Sequence, residues 1–286
     1  MSYSNNKLLI DKIEVDRVAK QFGTPAYCYS YEKLKDNILK FQNDFRKFKP
    51  LICFAVKANN NIKILNEISK LGLGADVVSK GELVVALKSK INPKKIVFSG
   101  VGKTYDEIDF AIKKKILLIN IESQSEIETI LKIAKKNNKT IDIGIRLNPN
   151  VDAKTIKQIT TGKKINKFGL TEKEVIGLIK NYKNSKYLNI KCLSVHIGSQ
   201  ITSHLPYLKM LRAVQKVIDR SNFHFDYIDL GGGMGIDYKN NNKLLNYKKY
   251  SEQINKFVIR NKVKIIFEPG RSIVGNTGFL IAKIIY

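Results

Sequence analysis

Lys57 closes an apolar run, Leu51 to Val56, that reads as a buried strand and then gives way to Ala58-Asn59-Asn60. Burying an ammonium is costly, so a lysine at the mouth of a core strand is normally paired, deprotonated or converted into an imine. The alternative is a stem that carries its charge out to water. Three other stretches place reactive groups at the same kind of position. Ile228-Asp229-Leu230-Gly231-Gly232-Gly233-Met234-Gly235 ends an apolar strand in three glycines. Without Cβ atoms they let backbone N–H groups approach an anion, phosphate above all, although a plain tight turn would use them too. Phe267-Glu268-Pro269-Gly270-Arg271 supplies a carboxylate, a point of close backbone approach and a guanidinium within four residues. His196, in Ser194-Val195-His196-Ile197-Gly198-Ser199-Gln200, brings a planar ring beside a loop suited to close approach. Taken alone it could equally be a satisfied core or surface histidine, and His204 and His224 are assigned no role. A lysine for an imine, a glycine-rich phosphate grip, a carboxylate for a ring nitrogen and a flat ring for stacking are together what pyridoxal phosphate requires.

These groups need a scaffold that brings strand ends together. Eight short apolar runs recur: Leu51 to Lys57, Ala75 to Ser79, Ile96 to Gly100, Leu117 to Glu122, Ile141 to Asn148, Ile190 to Gly198, Tyr227 to Gly231 and Lys264 to Glu268. Between them lie helical stripes, among them Leu34, Ile38, Phe41, Phe45 and Phe48; Ile127, Ile130, Leu131 and Ala134; and Leu208, Leu211, Val214 and Ile218. Continuously apolar strands separated by helices predict an α/β fold, and the number eight favours a closed (β/α)8 barrel over an open doubly wound sheet. Lys57, Asp76, Gly100, Glu122, Arg146, His196, Gly231 and Glu268 then all lie at or just past C-terminal strand ends, the face on which barrels carry their chemistry. A short helix is expected over Asp16 to Phe22. The apolar tail from Phe279 to Tyr286 reads as a strand in need of a partner, which predicts poor solubility or self-association.

Composition narrows the function classes. The chain has 286 residues and a formal net charge of +26, which invites a nucleic-acid partner. Against that, the basic residues are overwhelmingly lysine, are scattered along the chain and include only seven arginines, so neither a nucleic-acid nor a membrane partner is expected. No apolar stretch is long enough to span a bilayer and Met1 to Lys7 is polar, so the cytoplasm is the default location. Cys28, Cys53 and Cys192 are widely spaced and odd in number, which argues against a disulfide framework or a metal site.

The stretches FAVKANNN, GADVVSKGEL, RLNPNVDAKT, KFGL, SVHIGSQI, DLGGGMGI and EPGRSIVGNTG, in that order, resemble the fold-type III pyridoxal-phosphate decarboxylases. The likeness is greatest to the diaminopimelate branch and runs from about residue 12 to the end of the chain. It implies that Lys57 forms the Schiff base with pyridoxal 5'-phosphate and that His196 stacks on the pyridine face, these two being the catalytic pair. Ser199 and Gly231, Gly232 and Gly233 would serve the phosphate. Glu268, followed by Pro269, would pair with the protonated pyridine nitrogen, which favours decarboxylation; alanine racemases of this fold carry an arginine there. Gly270 and Arg271 would reach the phosphate side, with Arg271 also open to a substrate carboxylate. Asp76 and Arg146 would support the cofactor, unless they form a structural ion pair.

The implied activity is decarboxylation of meso-2,6-diaminopimelate to L-lysine and carbon dioxide. Ornithine or arginine as substrate, a non-catalytic pyridoxal-phosphate barrel and an inactive or interaction fragment are the alternatives. The implied organisation is an N-terminal segment, 1–25, that associates with a second domain; the cofactor-binding barrel, 26–275; and the start of a largely missing β domain, 276–286, in a homodimer that acts on an amino acid. Two features depart from the family. The loop Thr155 to Gly162 lacks the family's histidine and proline. The cysteine and tyrosine that the second domain contributes to the partner's site have no counterpart among Cys28, Cys53 and Cys192.

Overall fold

Each of the eight apolar runs becomes a strand of one closed, wholly parallel barrel. The computed structural model describes residues 2–153, 162, 168–238 and 244–286. In chain order the barrel strands are β1 (Leu51–Ala55), β2 (Gly74–Val77), β3 (Ile96–Phe98), β4 (Leu118–Ile121), β5 (Ile141–Leu147), β6 (Leu188–Val195), β7 (Tyr227–Asp229) and β8 (Lys264–Phe267). The ring closes where Ile266 and Phe267 of β8 lie opposite Leu51 and Ile52 of β1. The strands are shorter than the runs. Lys57, Ser79, Gly100, Glu122, His196, Gly231 and Glu268 fall just beyond the ladder, where polar and glycine residues leave it to form the C-terminal loops.

Helices cover the outside: α1 (Ile62–Lys70), α2 (Lys80–Lys88), α3 (Tyr105–Lys113), α4 (Gln124–Lys136), α5 (Glu172–Tyr182), α6 (Leu205–Ser221), α7 (Tyr247–Asn261) and the four-residue α8 (Arg271–Val274). The starts of α2, α3, α4 and α5 are written locally as Ser or Thr followed three residues later by Glu. Thr104 with Glu107 and Thr171 with Glu174 form full capping boxes. Ser79 and Ser123 cap α2 and α4, while Glu82 and Glu126 reach back to the N–H groups of Val78 and Glu122 at 2.9 and 2.8 Å. Each helix start is thereby tied to the strand end before it. No helix among the described residues is long and apolar enough to cross a membrane.

The stripe Leu34 to Phe48 divides in two. A helix over Tyr31–Asp44 buries Leu34, Ile38 and Phe41, and a 3-10 turn, Arg46–Phe48, continues it. Phe41 and Phe45 pack on Phe267, with ring centroids 5.6 and 4.5 Å apart, which seals the seam between β8 and β1. The ends of the chain lie outside the barrel. Ser2–Ser4, Lys7–Ile10 and Ile13–Glu14 form an antiparallel ribbon followed by a helix over Val15–Phe22. The apolar tail strand is not unpartnered: Gly278–Ile281 pairs antiparallel with Ala26–Tyr29, Leu280 opposite Tyr27.

Inside the barrel, side-chain alternation sets up two layers. Cys53, Val97, Leu118, Cys192 and Ile266 form a small apolar cluster separate from the main core between strands and helices. Two residues further along four of these five strands the chemistry changes, Cys53 alone being followed by another apolar residue, Ala55. Ser99, Asn120, Ser194 and Glu268 follow Val97, Leu118, Cys192 and Ile266, so a polar layer sits on the apolar floor, below the C-terminal mouth.

Candidate active site

Lys57 lies in a single 3-10 turn, Val56–Ala58, that carries the chain out of β1 and across the mouth. Its Nζ is 3.2 Å from Oδ2 of Asp76, which β2 holds with a side chain wholly shielded from water. The other oxygen of Asp76, Oδ1, is buried with no hydrogen-bond partner among the described residues. The Asp76 charge raises the pKa of Lys57, partly opposed by burial and reinforced by Glu268. The lysine side chain is itself 55% exposed, so water screens this pair and the direction of the shift matters more than its size.

The glycine run after β7 makes close packing of three loops possible. Gly231 and Gly233 have φ of 62° and 88°, conformations that L side chains rarely adopt. A Cβ on Gly232 would lie 2.1 Å from the carbonyl oxygen of Glu268, and one on Gly233 would lie 2.2 Å from that of Gly198. Two of the N–H groups that sequence reasoning offers to a phosphate have partners inside the protein. Gly231 donates to Asp229 Oδ1 at 2.9 Å and Gly232 to His196 Nδ1 at 3.3 Å. The run therefore shapes the loops around the cavity, which only Gly233 of the three lines. The bond from Gly232 makes Nδ1 of His196 an acceptor, and burial, together with Arg146 and Lys57, holds the imidazole well below its ordinary pKa. His196 is a neutral ring in this site.

Arg146 and Asp76 do not pair with each other. The Arg146 guanidinium binds Glu122 Oε1 at 2.6 Å and lies over the Phe168 ring, 4.9 Å from its centroid. Glu122 also accepts the Gly169 N–H at 3.2 Å. Arg146 thus braces the mouth after β4 and β5, within electrostatic reach of His196. On the opposite side Arg271 Nε donates to Ser199 Oγ at 3.4 Å and its Nη1 to the Tyr238 hydroxyl at 3.0 Å. The altered loop, Thr155 to Gly162, lies outside the described residues except for Gly162, whose carbonyl accepts the Val151 N–H.

Glu268 leaves β8 and enters the polar layer. Ser99 Oγ donates to its Oε1 at 3.2 Å, and its carboxyl lies within hydrogen-bonding reach of that of Asp229. Burial first, then the charges of Asp229 and Asp76, push Glu268 well above the usual carboxylate range. Asp229 is raised to about 6 by burial. Sequence reasoning missed Asp229, Asn120, Ser99, Tyr238 and Lys103. Lys103, whose side chain is almost wholly buried, binds the carbonyls of Gly100 and Asn120 at 2.5 and 2.8 Å and Glu126 at 2.5 Å, locking the loop after β3 to β4. The available signal was alternation: Ser99 and Asn120 each stand two residues beyond an apolar floor residue.

A cavity of about 380 Å³ opens among these loops, lined by Lys57, His196, Ser199, Gly233, Glu268, Gly270 and Arg271, with Ala55, Ala58, Tyr238, Val274 and Gly275. Asp76, Arg146, Gly231, Gly232 and Pro269 stand behind that lining. Cavities of about 410 and 760 Å³ occur on the outer surface, so size does not single this one out. What does is the convergence of a cation, a buried carboxyl, a neutral imidazole and a guanidinium at the barrel mouth.

Comparison with known proteins gives an independent reading. The family model described as the pyridoxal-binding domain of pyridoxal-dependent decarboxylases matches residues 31–275. Diaminopimelate decarboxylase of Neisseria meningitidis is 36% identical over 280 residues, covering 97% of this chain and 69% of the relative. That of Helicobacter pylori is 40% identical over 274 residues, covering 95% and 67%. The crystal structure of the Helicobacter pylori enzyme complexed with L-lysine superposes with a TM-score of 0.91 at 39% identity, covering 95% of this chain and 69% of that one. The chain thus spans about two thirds of the length of these relatives.

Proposed function

This chain belongs to the pyridoxal-dependent decarboxylase family, and we propose that it serves the decarboxylation of meso-2,6-diaminopimelate to L-lysine and carbon dioxide with pyridoxal 5'-phosphate as cofactor. One observation carries the site assignment. Lys57, paired with a shielded carboxylate, and Glu268, a buried carboxyl, line a single cavity between loops whose glycines admit no Cβ.

The residues fit the cofactor. A cavity of about 380 Å³ is within the range that takes a small ligand, Gly233 and Gly270 line it without side chains, and Asp76 Oδ1 is a buried acceptor still without a partner among the described residues. Lys57 would hold the cofactor's carbonyl end, Glu268 its ring nitrogen and the ring of His196 its flat face. Ser199, Gly233, Gly270 and Arg271 take the phosphate, with Gly231, Gly232 and Pro269 fixing the loops behind them. When bound, pyridoxal phosphate supplies an electron sink for the charge left on the α-carbon as carbon dioxide departs. Asp76 keeps the Lys57 amine in place and takes part in its protonation balance. Arg146, neutralised by Glu122, braces the mouth, and Arg271 is also placed to meet a substrate carboxylate.

The expected segment boundaries, 1–25, 26–275 and 276–286, belong to this proposal, and the family match ending at 275 supports the second of them. So do the homodimer and the cytoplasmic location; exposed Tyr27 and Leu280 on the terminal strand pair support the first, and three free thiols the second. The test is direct. Purified protein mixed with pyridoxal phosphate should develop the absorption band of a lysine imine, and Lys57→Ala should abolish it; a band that survives the substitution refutes the assignment. Carbon dioxide release compared across diaminopimelate, ornithine and arginine then reads the substrate, with greater release from either of the latter two overturning the diaminopimelate reading.

A further inference from the structure

Beneath the cavity, the ends of four strands contribute one polar side chain each to a run of hydrogen bonds, Asp229 to Asn120 to Ser99 to Glu268, whose two carboxyls lie within hydrogen-bonding reach of each other. Asn120 uses both of its amide hydrogens, one to Asp229 Oδ2 and one to Ser99 Oγ, each at 3.1 Å. Ser99 must then direct its own hydrogen to Glu268 Oε1, at 3.2 Å. The Gly231 N–H takes Asp229 Oδ1 at 2.9 Å. These neighbouring donors are therefore committed, and the bond between the Asp229 and Glu268 carboxyls requires a hydrogen of its own. Asp229 is fully buried and receives two N–H bonds where Glu268 receives one O–H bond, so the negative charge settles on Asp229 and the hydrogen on Glu268.

We propose that Asp229 is a positioning residue that keeps a proton on Glu268 before the cofactor binds, and that this proton is the one delivered to the ring nitrogen of pyridoxal phosphate. The inference rests on the assignment of Glu268 to that nitrogen. In the transfer, the Glu268 O–H bond breaks and leaves its electron pair on the carboxylate, while an N–H bond forms; the ring gains one positive charge, Glu268 one negative, and the total is unchanged. Two negative carboxylates would then be on the protein side of the transferred proton, and Asp229 would raise the cost of taking that proton away. The other charged groups around the pair agree with this order. Asp76 adds to the repulsion that favours a protonated Glu268 and Lys57 opposes it. His196 is neutral, and Arg146 is paired with Glu122.

Infrared spectroscopy of protein carrying 13C-labelled glutamate tests this, with the imine absorption band reporting cofactor binding in the same samples. Near neutral pH the protein before cofactor addition should show a glutamic acid C=O band that Glu268→Gln removes and that disappears as pyridoxal phosphate binds. In Asp229→Asn the band should be lost at lower pH than in the wild type, because one of the charges that add to burial in holding the proton on Glu268 is gone; a folded variant whose band titrates as the wild type's does overturns the part given to Asp229. A missing band in the wild-type protein before cofactor addition, or one that persists after binding, overturns the proposal while the cofactor assignment stands. No Lys57-dependent imine band overturns both. If Asp229→Asn does not fold, Asn120→Ala, which removes one of the N–H bonds to Asp229, tests the same coupling: a glutamic acid band unmoved from the wild type overturns the part given to Asp229.

Discussion

At the scale of single residues, the mouth of the barrel is a problem of proton placement. Lys57 must be uncharged to attack a carbonyl carbon, yet Asp76 at 3.2 Å holds its pKa up. Removing that charge removes the largest cause of the shift, so the pKa of Lys57 falls. Asp76→Asn is therefore expected to form its imine with pyridoxal phosphate at lower pH than the wild type does. Stopped-flow absorbance across a pH series checks this, and an unchanged profile or one displaced upward contradicts it. Lys57 was legible in the sequence because of its company: a strand-end lysine alone can carry its charge to water, but the glycine run, Glu268 and His196 at other strand ends gave it a partner chemistry. Asp229, Asn120 and Ser99 were not, for a physical reason. In Ile228-Asp229-Leu230 and Leu118-Ile119-Asn120-Ile121 a polar residue is flanked by apolar ones that face the helices, and a short parallel strand does not declare which of its faces is the barrel interior. Only the neighbouring strands settle that, by placing four such residues within hydrogen-bonding distance.

At the scale of elements, the loops after β6, β7 and β8 act as one unit. The Glu268 N–H bonds the Gly231 carbonyl at 2.8 Å, the Ile201 N–H the Gly233 carbonyl at 2.9 Å, and the Tyr207 hydroxyl the Gly232 carbonyl at 3.0 Å. Gly232→Ala would press a methyl group to 2.1 Å from the backbone oxygen of Glu268, which no side-chain rotation relieves. The expected cost is about 1–3 kcal/mol, as for other overpacked sites, accompanied by weaker pyridoxal phosphate binding because the loops must part. Gly72→Ala is the control. Its φ of +82° strains any L residue, but nothing lies within 4 Å of the added methyl, so stability should fall by about 1–2 kcal/mol with cofactor affinity unchanged. Urea unfolding and cofactor titration of both variants make the comparison; equal losses of affinity would mean that the glycine run does not shape the loops around the cavity. The three glycines could be read as a point of close approach from sequence. What approaches them could not, because the contacts come from residues 198 and 268, distant in the chain.

At the scale of the whole molecule, eight runs were enough to specify a closed barrel, because strands apolar on both faces have to be covered inside and out. The ends were less legible. The strands of the N-terminal ribbon are two to four residues long and largely exposed, with little apolar pattern to betray them, and Ala26–Tyr29 meets Gly278–Ile281 across some 250 residues of chain. That terminal pair leaves Tyr27 and Leu280, opposite each other in register, 74% and 60% exposed, with Ile284 and Ile285 at 88% and 78% beyond them. An exposed apolar strand pair favours self-association. A net charge of +26 on every copy opposes it, and the two forces respond differently to salt. Repulsion between the scattered lysines weakens as the screening length falls from about 30 Å at 0.01 M salt to about 8 Å at 0.15 M, whereas apolar contact does not depend on that length. Light scattering should therefore show the chain closest to monomeric at the lowest ionic strength and increasingly associated as salt is added, with Leu280→Asp suppressing the rise. A chain that stays monomeric at every salt concentration, or one that dissociates as salt is raised, would show that the strand pair does not drive assembly.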